Sequence, residues 1–347
     1  MSVNEPEQLN LEDLKMSVPL GEYCGDDFAI VSGRTNPDLL EKVAAHLKTE
    51  PFFLETKNWG NGYPRCLRPA EISFANKKVI IITSLQYKGI GSPVEELELM
   101  HDACKSATEI HHIITWFCGK DDVSHSAGHV PTTAWLAGRI TALNPKSVNI
   151  FDPHQSGHLE YFYPLRRRRF YFLANLIEQA RGMGIGQIAA TDFSSTKRAN
   201  KVEEFLKTGK LILLASKDHD HNEHNSPVKS QQLIGKALAD KVGVFDDMAL
   251  SWNTMKRTVK LLKEDFGVKE IHAFAAHFDP TSETLDNLSE AFEKVWLDSF
   301  NTTNSTQLQS EFTELEGFKV VDISKTVSEL VEVLVLGKST STMFQDI

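Results

Sequence analysis

At 347 residues the chain exceeds the size at which one hydrophobic core usually suffices, so two domains are expected. Its 41% hydrophobic and 24% charged fractions are those of an ordinary globular protein, and 37 Lys and Arg against 47 Asp and Glu leave a net charge of −10. That balance argues against nucleic acid or an anionic membrane as the main partner, while leaving room for a locally basic pocket. Cys24, Cys66, Cys104 and Cys118 show neither CxxC nor zinc spacing. With no basic-apolar leader and no apolar run long enough to span a bilayer, the expected setting is the reduced cytoplasm.

Residues 1–26 are acidic and polar with little periodicity, and read as an N-terminal arm. Phe28-Ala-Ile-Val-Ser-Gly-Arg-Thr-Asn-Pro37 is a strand entering a glycine turn, and Leu39 to Leu47 has amphipathic helical spacing. A turn-rich stretch, Asn58 to Tyr63, precedes the strand Lys78 to Ser84. Glu95 to Ala107 reads as helix and Ile110 to Phe117 as strand; its adjacent His111 and His112 point to opposite faces and so cannot easily share a metal. Lys120, Asp121, Asp122, His125 and His129 follow in a loop, a helix begins at Val130-Pro-Thr-Thr-Ala134, and Val148 to His154 forms a strand with Asp152 and His154 at its carboxyl end. On spacing alone His154 is either a ligand or a structural histidine. The basic run Arg166 to Arg169 reads as a solvated or interface stretch or as an anion contact, ahead of a helix ending near Ala180.

The second half begins with a strand, Ile188 to Thr191, a polar loop from Asp192 to Arg198, and a helix, Ala199 to Leu206. A strand from Lys210 to Ala215 opens into a hydrophilic loop containing Lys217, His219, His221 and His224, where a loop is favoured over a metal site. Val242 to Phe245 then ends in Asp246 and Asp247, followed by a polar turn and a helical pattern carrying Met255, Val259, Leu262 and Phe266. Gly267 caps it, and Ile271 to Ala276 completes a βαβ unit. Ligands of parallel sheets bind at strand carboxyl ends, so this acid pair is placed to hold ribose hydroxyls or the waters of a magnesium ion, unless it is a solvated strand end. Ser289 to Phe300 reads as helix, Asn301 to Gln309 as linker, Phe318 to Ile323 as strand and Thr326 to Leu336 as helix.

In four places the chain resembles the ribose-phosphate diphosphokinases, or phosphoribosyl pyrophosphate synthetases: Gly33-Arg-Thr-Asn-Pro37 with its strand; Val130 to Ala134 followed by Asp152-Pro-His154; Phe245-Asp-Asp-Met248; and Ser339-Thr-Ser-Thr-Met-Phe344. The resemblance implies an α/β fold of two tandem type I phosphoribosyltransferase-like domains with parallel sheets. These would be an N-terminal one over 27–165, on which the tail 325–347 packs back, and a C-terminal one over 166–324. It implies Mg2+, ATP and a ribose phosphate as ligands, with diphosphoryl transfer to the anomeric hydroxyl, and a homo-oligomer or an assembly with paralogues. His154 and Asp192 then correspond to metal and nucleotide contacts, Asp246 and Asp247 to ribose-binding acids, and Lys217 to a loop lysine that stabilises the transferring group.

Where the family has a Ser/Thr-Gly-Gly-Thr phosphate cradle, this chain reads Ser251-Trp252-Asn253-Thr254, and an indole at the second position is expected to open the loop. The first ATP loop, with Lys120 and Asp122, and the nucleotide positions Asn61 and Tyr63 also depart from the family. Two functions fit: a diphosphokinase acting on ribose 5-phosphate or on a 5-substituted ribose such as ADP-ribose, with Trp252 stacking on a base or packing on the linker, and a non-catalytic regulatory subunit.

Overall fold

The computed structural model describes residues 27–87, 92–119, 130–193, 195–210, 213–219 and 228–340, the side chains of 214–233 excepted. The arm 1–26, Lys120 to His129, His221, His224 and residues 341–344 of the tail motif therefore lie outside the described residues. The first half runs β1 (Phe28–Ser32), α1 (Pro37–Leu47), β2 (Pro51–Phe53), β3 (Glu55–Asn58), β4 (Pro64–Leu67), β5 (Lys78–Ser84), α2 (Pro93–Ala103), β6 (Glu109–Trp116), α3 (Thr132–Ala142), β7 (Ser147–Phe151), a 3-10 segment Ser156–Phe162 and β8 (Arg167–Phe170). The second runs α4 (Leu173–Met183), β9 (Gln187–Ala190), α5 (Thr196–Leu206), β10 (Leu213–His219), β11 (Val228–Ile234), β12 (Lys241–Ala249), α6 (Asn253–Glu264), β13 (Glu270–Phe278), α7 (Thr284–Glu293), β14 (Ser299–Thr303), α8 (Ser310–Thr313), β15 (Phe318–Val321) and α9 (Ser324–Val335).

The six-stranded sheet has the order β2-β1-β5-β6-β7-β8 and is parallel throughout. The seven-stranded sheet has the order β11-β10-β9-β12-β13-β14-β15, with only the β10–β11 edge pair antiparallel. Helices cover both faces, which explains why β1, β5 and β7 are buried along almost their whole length and why β1 and β5 read as near-continuous apolar runs. α1 starts at Pro37, where the missing N–H is no loss, and buries Leu39, Leu40, Val43 and Ala44.

The two halves exchange helices. α4, which follows the last strand of the first sheet, buries Leu173, Leu176, Ile177 and Ala180 with Ile188, Phe245 and Phe274 of the second. α9, which follows the last strand of the second sheet, packs Val327, Leu330, Val331 and Leu334 with Ile30, Leu39, Val43 and Ile80 of the first. Polar contacts tie the seam: the Asn36 amide donates to Asn304 O (2.8 Å), Thr115 Oγ1 to Ser305 O (2.7 Å) and Trp116 Nε1 to Asp279 Oδ2 (3.0 Å).

Several sequence expectations are corrected. The arginine run is largely β8, an edge strand of the first sheet paired to β7, so that sheet ends after Phe170 rather than at 165. The helix expected over 289–300 ends at Glu293; Val295 turns left-handed (φ 55) and residues 299–303 are strand. That strand, Ser-Phe-Asn-Thr-Thr, is wholly buried, with most of its polar side chains satisfied: Asn301 Nδ2 donates to Ala273 O and Thr303 Oγ1 to Ala276 O, while Thr302 Oγ1 has no partner among the described residues. The hydrophilic stretch after Ala215 is strand as far as His219 and returns as β11, with Lys217 opposite Gln231.

Leu330→Ala should destabilise the protein by about 2–5 kcal/mol, the range for a truncated buried leucine, although α9 lies outside the first half in sequence. Urea unfolding monitored by circular dichroism checks this, and the loss should appear in a single transition.

Candidate active site

Asp246 and Asp247 lie within β12, not beyond it, because the strand continues to Ala249. Together with His154, Asp192 and residues 248–255 they line a cavity of about 220 Å³. Asp246 Oδ2 accepts the Thr191 hydroxyl at 2.6 Å and its Oδ1 accepts the Asp247 amide at 2.9 Å. Asp247 Oδ2 accepts His154 Nδ1–H at 2.7 Å, and Oδ1 accepts the Met248 amide. His154 follows β7 of the first sheet, so the His154–Asp247 bond crosses the seam.

Behind the pair lies a buried cation. Arg198, on the apolar face of α5 with Ala199, Val202 and Phe205, donates to Asp152 Oδ1 at 2.8 Å. Asp152 holds a positive φ of 40 and takes the Phe172 amide on Oδ2 at 2.7 Å. Its carbonyl accepts His277 Nε2–H at 3.2 Å, leaving His277 Nδ1 to accept the Ser305 hydroxyl. Burial holds His277 below the usual imidazole pKa, consistent with this neutral tautomer.

The two acids differ in charge state. Burial, then the charges of Asp247 and Asp192, push Asp246 well above the ordinary carboxylate pKa. For Asp247, burial acts in the same direction, but the His154 hydrogen bond and the Arg198 charge outweigh it and hold its carboxyl low. The pair therefore keeps one ionised acceptor and one carboxyl that readily retains a proton. Asp192 stands at the start of α5, where its Oδ1 accepts the Ser195 amide at 3.0 Å and its own amide donates to Ser195 Oγ.

The cavity wall opposite the acids is the turn into α6. Trp252 occupies the left-handed region (φ 64), yet its indole is 2% exposed and packs edge-on to Phe300 with centroids 5.7 Å apart. The expectation of an opened loop is thereby corrected: the side chain leaves the turn for the core, and the turn presents its backbone. Asn253 bonds sideways to Ser251 Oγ and Glu283, and Asn287 bonds to Ser251 O and Asn253 Oδ1. No side chain caps α6 and its first turn holds no acid. Among the described residues the amides of 250–255 have no acceptor. A helix start with unpaired amides and no competing carboxylate suits an anion.

Of the other expected site residues, Asn61 and Tyr63 sit at the tip of the β3–β4 hairpin, where the Tyr63 amide donates to Asn61 Oδ1 and the ring is 71% exposed; neither lines the cavity. Lys120 and Asp122 lie outside the described residues, and Lys217 is described by its backbone alone. The sequence reading missed Thr191, Arg198 and His277. Arg198 was detectable: it precedes Val202 and Phe205 by four and seven residues, placing a charge on an apolar helical face.

The N-terminal domain of ribose phosphate pyrophosphokinase is matched over residues 28–141. A ribose-phosphate pyrophosphokinase of Prochlorococcus marinus is 24% identical over 323 residues, covering 91% of this chain and 93% of its own. Ribose-phosphate pyrophosphokinase 3 of Saccharomyces cerevisiae is 24% identical over 80% of this chain and 87% of its own. The crystal structure of phosphoribosylpyrophosphate synthetase from Mycobacterium smegmatis superposes with a TM-score of 0.78 at 17% identity, over 90% of this chain and 99% of that one. The chain is thus similar to ribose-phosphate pyrophosphokinases over 91% of its length. Its two sheets share the fold of that structure, with paired phosphoribosyltransferase-like domains. No helix among the described residues is long and apolar enough to cross a membrane.

Because Asp246 has a folded pKa raised above its ordinary 3.8, its buried carboxyl is least costly when protonated, and the cost grows as pH rises through the folded value. Asp246→Asn should therefore raise the melting temperature at neutral pH, with the gain shrinking as pH falls toward 3.8. Calorimetry of both proteins across that range checks the sign.

Proposed function

We propose that the protein transfers the diphosphoryl group of ATP to the anomeric hydroxyl of ribose 5-phosphate, and the observation that carries this is the pairing of an ionised Asp247 with an open α6 amino end across one cavity. The carboxylates take ribose hydroxyls as donors, while the amides of 251–255 take the 5-phosphate. The buried indole of Trp252 removes the steric reason to prefer a 5-substituted ribose such as ADP-ribose.

Magnesium fits this donor set as a guest shared with the nucleotide. No group of three metal-binding side chains is gathered among the described residues, and Mg2+ is commonly held by one or two carboxylates, waters and substrate phosphates. Asp192 and His154, which line the cavity, are the residues proposed to face that ion and the nucleotide, directly or through its waters. When bound, the ion neutralises charge on the phosphates. The chain's own work is positional: Asp247 orients the ribose and fixes His154, and Arg198 offsets the acids from behind. Lys217 is proposed to meet the transferring group with its ammonium, since phosphoryl transfer is catalysed mainly by placement of charge. The protein would work in the cytoplasm and assemble with copies of itself or with paralogues.

With Mg-ATP and ribose 5-phosphate the protein should release AMP, and Lys217→Ala should lower kcat on the order of a hundredfold. Absence of AMP with ribose 5-phosphate and with ADP-ribose, alone and with a paralogue, would leave the regulatory reading in its place.

Trp252→Gly supplies the family's residue but removes a buried indole, and should cost about 3–5 kcal/mol of stability, as for large aromatic truncations. It should weaken ribose 5-phosphate binding rather than improve it, while Trp252→Phe retains most of both. Denaturant unfolding and ligand titration on the three proteins decide between a core anchor and a steric block.

A further inference from the structure

No residue of α7 lines the cavity beside Asp247, yet the first turn of that helix holds the cavity wall from behind. The buried Thr284 hydroxyl accepts the Thr281 amide at 2.8 Å and donates to Leu250 O. Asn287, also buried, donates through Nδ2 to Ser251 O at 2.8 Å. Two side chains one helical turn apart therefore grip two consecutive carbonyls of the turn into α6.

Both bonds have a fixed direction. The Leu250 carbonyl can only accept, so the Thr284 hydroxyl proton lies on it. Which end of the Asn287 carboxamide is which follows from its partners: Lys256 Nζ, 2.9 Å away, can only donate, and Ser251 O can only accept. Oδ1 meets the ammonium and Nδ2 the carbonyl. The second Nδ2 hydrogen goes to Asn253 Oδ1 at 3.1 Å, and Asn253 Nδ2 is taken by Glu283 at 2.9 Å, which draws that side chain toward α7. Glu290 holds Lys256 in turn.

The planar peptide carries these grips to the other side of the turn. Tyr163–Pro164 is the only cis peptide among the described residues, so in each unit of the turn the C=O and N–H point in opposite directions. Holding Leu250 O on α7 turns the Ser251 N–H away from α7, and holding Ser251 O does the same for the Trp252 N–H. The next carbonyl, Trp252 O, accepts the Lys256 amide at 2.9 Å, so the Asn253 N–H points out of the helix start. Three successive amides without an acceptor among the described residues thus leave the turn on its cavity side. Each plane is fixed before a ligand arrives, which spares the ligand the cost of ordering it.

We propose that Thr284 and Asn287 are positioning residues that aim the Ser251 and Trp252 amides at the phosphate of the acceptor, an inference that rests on the diphosphokinase reading above. Neither touches substrate; both act through a peptide plane. Their contribution is pre-organisation, so it belongs to acceptor binding and not to the chemical step.

Thr284→Val removes the hydroxyl at nearly the same shape, Asn287→Leu removes the carboxamide, and Thr284→Ser keeps the hydroxyl. In the full-length protein the 1H–15N amide signals of Ser251 and Trp252 should shift on titration with ribose 5-phosphate. Half-saturation should need roughly tenfold more ligand in Thr284→Val and in Asn287→Leu, the scale of one hydrogen bond to a charged group, while Thr284→Ser should match wild type. In steady state the KM for ribose 5-phosphate should rise by the same factor, with the loss falling on that KM and not on kcat or the KM for ATP. AMP release decides the transfer reading by itself; the change in half-saturation decides the positioning role, with or without turnover. Equal half-saturation in all four proteins, with or without a lower melting temperature, or wild-type Ser251 and Trp252 signals that stay still at saturating ribose 5-phosphate, overturns the proposal even if AMP is released.

Discussion

The ion pair between Arg198 and Asp152 is the contact on which the rest of the site depends. It is buried on both sides and joins α5 of the second half to the strand end of the first. Removing one partner of such a pair costs about 3–5 kcal/mol, because the other charge is stranded in a low-dielectric interior. Asp152 is also bound by the Phe172 amide and by His277, and these contacts over-determine a residue whose backbone sits at positive φ. The same guanidinium lies near Asp246 and Asp247 and offsets their charge from the protein side. One cation thus ties the two sheets together and, with the His154 hydrogen bond, keeps Asp247 ionised.

The turn into α6 shows another way to satisfy a backbone that usually requires glycine. A left-handed residue with a side chain costs roughly 1–2 kcal/mol. Burying an indole of 150–250 Å² at about 25 cal/mol per Å² contributes roughly 4–6 kcal/mol, an upper figure that still exceeds the strain. Packing of Trp252 on Phe300 therefore selects the conformation that glycine merely permits, and an aromatic anchor replaces backbone freedom. The orphaned indole Nε1–H subtracts from that gain without reversing it.

Much of the fold was legible because parallel strands covered on both faces have unambiguous patterns: Lys78–Ser84 and the βαβ unit from Lys241 to Phe278 stand where periodicity puts them. The failures share a cause. Ser299–Thr303 is polar yet buried, because its hydrogen-bond partners come from β13, 27 and 28 residues earlier. Arg167–Arg169 sits in an edge strand, where charged side chains are tolerated, and so resembles a solvated run. The site was half legible for the same reason. Asp246 and Asp247 lie near the carboxyl end of β12 and His154 just past β7, where α/β sheets carry ligands; Arg198 shows in sequence only as a charge on an apolar helical face, and Thr191 and His277 are recognisable only once the sheets are assembled. Trp252 was visible as a departure from glycine, but the direction of its ring was not.

The exchange of α4 and α9 bears on how the chain is made. A ribosome releases β1, β5 and β7 long before Ser324 emerges, so the face of the first sheet that α9 covers must wait, bare and apolar, through most of synthesis. α4, by contrast, emerges before any strand of the sheet it serves. Each half closes one face of its sheet from its own sequence but borrows a helix for the other, so a cut at the seam would leave each fragment with one apolar face uncovered. The chain is two domains in architecture and one unit in folding.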